Sequence, residues 1–213
     1  MQYVDFLARW AHVLFGITWI GLLYYFNFVQ GEYFKEAEAD AKADAVKKLA
    51  PRALWWFRWG AMGTFLVGLY LYARLGATSN PYIAVGALAG TIMFLNVWLI
   101  IWPAQKIVCG IVEGDAGAAA PKAALASRTN VLLSATMLMG MLGSKHGFVP
   151  DGKAIASIAD KGLSMGTIIS LIIILLLGFN GIKGKMGPMA SVSGVIVSSI
   201  VLALIIFWLM NFV

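Results

Sequence analysis

The chain has little charge, one cysteine and two histidines, and each shortage narrows its chemistry. Charged residues make up 12% of its 213 residues against 61% hydrophobic ones, and the mean hydropathy is +0.83. A water-soluble domain of this size cannot hide so much apolar surface, so the surplus belongs in a bilayer. The single cysteine, Cys109, excludes an internal disulfide, a Cys-x-x-Cys-His attachment site for c-type haem and any all-cysteine metal centre. No apolar run carries a carboxylate suited to proton relay, and no internal repeat is evident; both count against a small ion-coupled transporter.

What is present is a succession of apolar runs, each near the roughly 20 residues that a helix needs to cross the hydrocarbon core. They predict an all-α integral membrane bundle of about six transmembrane helices, at approximately 6–30, 54–74, 82–104, 121–146, 162–182 and 189–212. The fourth run is the weakest. Pro121 suits its first turn, Arg128 and Lys145 can snorkel, and Ser127 is placed to cap it if the helix starts late. The polar segment 32–52, alanine-rich with mixed charge, is expected to form a surface helix outside the bilayer. No small-residue cleavage pattern follows the first run, so it is expected to be retained rather than removed as a signal peptide.

The net charge of +6 comes from lysines and arginines in short loops, which read as topology signals rather than as a nucleic-acid surface. Lys35, Lys42, Lys47, Lys48, Arg52, Arg58, Lys106, Lys122, Arg128, Lys183 and Lys185 fall on one side. Arg9, Arg74, Lys145, Lys153 and Lys161 fall on the other. The positive-inside rule makes the richer side cytoplasmic, with both termini outside.

With that orientation His12 and His146 both fall in the outer half of the bundle. His12 shares a stripe with Asp5, Arg9, Gly16, Trp19, Leu23, Asn27 and Gln30, spaced by three or four, so it is expected to face protein rather than lipid. Met139, Gly143 and His146 share a second stripe. Histidines from two facing helices are a standard means of holding haem iron, and Gly16 and Gly143 are expected to leave room for a flat ring. The alternative is that His12 hydrogen-bonds across helices and His146 sits wet at an interface. A copper ion held by the same imidazoles is the alternative to haem, but Met137, Met139 and Met141 point in different directions and read as core packing. Toward the cytoplasmic half, Arg58, Asn96, Arg128 and Asn130 form a candidate polar group able to clamp a planar anion; anchoring of phospholipid headgroups is the alternative for Arg58.

Several segments resemble the N-terminal membrane domain of the bacterial membrane-bound urate oxidase (urate hydroxylase) family. They are Arg9-Trp10-Ala11-His12 with the block from Phe15 to Gln30, Phe57-Arg58-Trp59-Gly60-Ala61-Met62, Asn96-Val97-Trp98 with Ile101-Trp102-Pro103 and Gln105-Lys106, and Ser127-Arg128-Thr129-Asn130. The likeness covers about the first two thirds of the chain. It implies a bacterial inner-membrane protein of purine oxidation, with functional roles for His12 and His146 and with Arg58, Asn96, Arg128 and Asn130 as substrate contacts. Family members often continue into a C-terminal cytochrome c domain, which lies outside the membrane. This sequence has none, so the resemblance implies electron exchange with a separate cytochrome c. The expectation is a redox-active subunit binding b-type haem. The alternative is an accessory subunit whose glycines and sixth helix pack against other membrane subunits or further copies of itself.

Overall fold

The computed structural model describes residues 2–147 and 155–213; Lys153, counted above on the outer side, lies outside the described residues. Within them the chain is helical throughout, with no strand. Helix α1 spans Gln2–Glu36. Helix α2 runs unbroken through Ala39–Asp44, Ala45–Leu49 and Ala50–Leu75. Helix α3 is Pro81–Val108, α4 is Ala116–His146, α5 is the single turn Ile158–Lys161, α6 is Met165–Lys183 and α7 is Val192–Phe212.

Local chemistry sets the boundaries. Gly76, at φ +50°, takes a backbone conformation that side-chain-bearing residues avoid and so ends α2. The Asn80 side chain then accepts from the Ile83 amide, and Pro81 supplies the first residue of α3. Asp115, Ser164 and Ser191 cap α4, α6 and α7 by the same device, accepting from the amides of Ala118, Thr167 and Gly194.

Two boundaries differ from the sequence reading. The segment 32–52 is not one separate surface helix. Its first residues extend α1, the chain breaks at Ala37 and Glu38, and the remainder forms the polar start of α2. Helix α4 begins five residues before Pro121, because Asp115 offers the cap, so Pro121 lies inside the helix and Ser127 is far from its end. The Ser127 hydroxyl accepts instead from the Asn27 amide of α1 at 2.7 Å.

Four helices, α1, α3, α6 and α7, are long and apolar enough to cross a membrane. Exposed side chains such as Leu175, Leu176 and Phe179 on α6, and Val197, Ile200 and Leu204 on α7, form outward surfaces suited to lipid rather than water. Helix α1 packs along α2 as an antiparallel hairpin, while α3, α6 and α7 surround α4. Phe57, Leu23, Met93, Leu133, Ile174 and Ile206 are fully buried and belong to one core that joins the hairpin to the other four helices.

Close approach of α3 to α4 depends on small residues. A Cβ added at Gly140 would lie 2.6 Å from the Gly86 nitrogen and 2.7 Å from the Tyr82 carbonyl oxygen, both backbone atoms that cannot step aside. The helices therefore touch main chain to main chain, a mode of association that lipid-embedded helices favour. Gly140→Leu is expected to lower the thermal midpoint in detergent, at a cost of at least the ~1–3 kcal/mol typical of overpacking. Gly21→Ala, where an added Cβ meets nothing within 4 Å, should leave the midpoint within a degree or two of wild type (about 0.5 kcal/mol).

Candidate functional site

The α1 stripe is the protein-facing side of that helix. Trp19, Leu23 and Asn27 are buried, and Asp5, His12, Gly16 and Gln30 are partly so, whereas Arg9 is exposed. The stripe has two neighbours. Its inner half meets α4, where the Tyr24 hydroxyl hydrogen-bonds the Ser134 hydroxyl at 2.8 Å and Asn27 donates to Ser127. Its outer half meets α2: Asp5 accepts from Tyr70 at 3.0 Å and pairs with Arg74 at 3.2 Å.

His12 lies between these regions, lodged against α2. A Cβ at Gly68 would come within 2.9 Å of His12 Cε1 and 3.4 Å of its Nδ1, so the imidazole fills the notch that this glycine leaves. Nδ1 is buried, with the Thr64 backbone as its polar neighbour. A proton on Nδ1, directed at the Thr64 backbone, leaves the lone pair on Nε2.

His146 is exposed as the last residue of α4, and neither a hydrogen bond nor an ion pair engages it among the described residues. Its height relative to His12 follows from the antiparallel pairing. Twelve residues outward from Tyr24 lies His12, and twelve residues outward from Ser134 lies His146, so each is about 18 Å along its helix from the same hydrogen bond.

The space expected beside these rings is used differently. Gly143 accommodates the Tyr82 ring, since a Cβ there would fall 2.2 Å from Tyr82 Cδ1. Gly16 faces the Thr64 methyl across the hairpin at 4.0 Å. Both glycines serve helix packing. Among the described residues no three or more His, Cys, Asp or Glu side chains gather as a metal site. Imidazole is the donor type that a bis-histidine haem takes, but the glycines beside these two rings add no cradle for a macrocycle.

The four inner candidates do not converge. Asn96 and Asn130 meet each other: Asn96 Nδ2 donates to Asn130 Oδ1 at 2.8 Å, and Asn130 Nδ2 donates to the Met93 carbonyl at 2.9 Å. Both are buried, at 3% and 0% exposure, so the pair is a closed link between α3 and α4 and offers no open face to a substrate. Arg128 donates to the Ser191 carbonyl at 3.3 Å, tying α4 to the start of α7. Arg58 lies over the Trp102 ring, its guanidinium carbon 3.8 Å from the centroid.

Helical spacing does not reveal these cross-helix partners. Trp102 also receives Lys106, one turn later on the same helix, at 5.8 Å. The Trp102–Lys106 spacing of four was visible in the sequence; the approach of Arg58 from another helix was not.

Comparisons with protein-family models, with curated proteins and with solved structures found no match.

The amide link is directly testable. Asn96→Leu and Asn130→Leu should each destabilise the bundle in detergent. A double-mutant cycle is expected to give a coupling of ~0.6 kcal/mol, the average for hydrogen bonds between membrane helices, and no more than ~1.7 kcal/mol. Additive effects would show that the two amides act separately.

Proposed function

We propose that the chain is a redox-active subunit of a bacterial inner membrane. In this reading six helices, α1, α2, α3, α4, α6 and α7, cross the bilayer and both termini are outside. His12 and His146 hold a b-type haem near the outer face, and a separate cytochrome c exchanges electrons with it. The single observation that carries the proposal is that two imidazoles sit at matching distances along antiparallel α1 and α4, one of them with its Nδ1 edge buried against α2. The resemblance of the His12 segment to the membrane-bound urate oxidase family supports it. Haem supplies reversible one-electron transfer, and copper bound by the same imidazoles is the variant of this reading.

His12 is suited to bind through Nε2, since its opposite edge is fixed by Gly68 and Thr64. The exposed position of His146 suits it to an outer, solvent-facing approach. Urate as the substrate rests on the resemblance alone, and the internal engagement of Asn96 and Asn130 weakens it. That same closure favours the second reading, an accessory subunit of a larger membrane complex, in which these polar groups serve helix association.

The six-helix count is supported by the surroundings of α4. Its composition is too polar for a lipid-facing span, but α3, α6 and α7 enclose it, so its side chains meet protein instead.

An absorption spectrum of protein purified from haem-replete cells tests the proposal. A Soret band that is lost in His12→Ala and in His146→Ala is the expected result. A featureless spectrum together with tight co-purification of other membrane subunits would favour the accessory reading.

The orientation has its own test in Cys109, which follows α3 on the side assigned to the cytoplasm. Burial pushes its thiol pKa up, so labelling is expected to be slow as well as sided. A membrane-impermeant maleimide should modify Cys109 in inverted vesicles and spare it in intact spheroplasts; the reverse pattern would invert the topology.

A further inference from the structure

Trp102 is approached by two cations, Arg58 from α2 at 3.8 Å and Lys106 from α3 at 5.8 Å. Neither has a hydrogen bond or ion pair to another group among the described residues. The ion pairs there lie elsewhere, at Glu32–Lys35, Asp44–Lys48 and Asp5–Arg74. Two like charges sharing one indole repel each other at the edge of a low-dielectric slab, and the ring's π face offsets only part of that. The guanidinium carbon lies 3.8 Å over the ring and none of its N–H groups has a hydrogen-bond partner among the described residues, so they can meet a planar or tetrahedral anion.

The position indicates where the anion comes from. Helical side chains tilt toward the N-terminus, so Arg58 on α2 reaches toward the basic, loop-rich side and snorkels to that interface. Trp55, Trp56 and Trp59, all exposed, flank it, and Trp59 packs edge-on against Trp98 at 5.6 Å. Trp98, one turn before Trp102, carries a buried indole N–H with no partner, a further donor in the same cluster. Exposed indoles beside cations mark the headgroup level of a membrane rather than an aqueous cleft.

We propose that Arg58 and Lys106, bracketing Trp102, form a binding site for the phosphate of an anionic phospholipid in the leaflet facing the basic loops. Lys106 neutralises the phosphate from the aqueous side and Arg58 donates to it from the bilayer side. The lipid thereby joins α2 to α3, whose own packing is slight compared with that of the α1–α2 hairpin. The site requires no cofactor at the histidines and stands apart from the redox reading.

Native mass spectrometry of the full chain in detergent, with equimolar phosphatidylglycerol and phosphatidylcholine, tests it. Wild type should retain phosphatidylglycerol preferentially. Arg58→Gln and Lys106→Gln should each reduce that preference roughly 5-fold, the effect of one cation near an anionic surface. Lys106→Gln leaves the Arg58–Trp102 stack in place and so keeps the test open if Arg58→Gln folds poorly. The Lys183→Gln/Lys185→Gln double variant, which changes basic residues outside the cluster, should retain the wild-type preference. Equal retention of both lipids by wild type, or an unchanged preference in both single variants, would overturn the proposal. So would a matching loss in the Lys183/Lys185 variant, which would mean a diffuse basic surface. Displacement of phosphatidylglycerol by millimolar inorganic phosphate would assign the cradle to a soluble anion and overturn the lipid assignment.

Discussion

The bundle depends on how polar atoms on α4 are satisfied where no water reaches them. Asn130 and Ser134 are almost fully buried and hydrogen-bonded, and a helix carrying them could not face acyl chains without stranding those groups; the hydroxyls of Thr129 and Thr136, equally buried, have no partner among the described residues. Neighbouring helices supply many of the partners. Asn96 comes from α3 and Tyr24 and Asn27 from α1, while the Ser199 hydroxyl of α7 donates to the Val131 carbonyl at 2.9 Å. Each link fixes one neighbour in height and rotation, so the polarity that makes α4 a poor lone span makes it the organiser of the bundle.

Small residues make that arrangement possible. The Asn96–Asn130 link requires α3 and α4 to lie close, and Gly86 against Gly140 permits it two to three turns further out. On the hairpin, Gly68 admits His12 as a packing element and at the same time fixes which edge of the imidazole is buried. Packing and candidate chemistry therefore meet at His12, in the notch that holds the ring.

The apolar helices were legible because their signal is local. The expected run 82–104 lies within Pro81–Val108, 162–182 nearly coincides with Met165–Lys183, and 189–212 with Val192–Phe212. The buried face of α1 followed from spacing for the same reason. The start of α4 was misplaced because Pro121 resembles a first-turn residue, while the real cap, Asp115, precedes an alanine run with little hydrophobic periodicity. Arg58, Asn96, Arg128 and Asn130 are legible in the sequence as a polar group toward one half of the bundle, but periodicity gives a face and not a neighbour. Whether Asn96 meets a ligand or Asn130, and whether Arg58 meets substrate or Trp102, is decided by helix contacts that no single-helix pattern encodes.

The central claim is that α4 crosses the membrane as the polar axis of the bundle, and its two ends measure this most directly. In a Cys109→Ala background, single cysteines at Ala120 and Lys145, both exposed near opposite ends of α4, can be probed with an impermeant thiol reagent from either face. The account requires labelling of position 120 from one side only and of position 145 from the other. Modification of both from the same side would mean that α4 does not traverse the bilayer, and the organisation built around it would be lost.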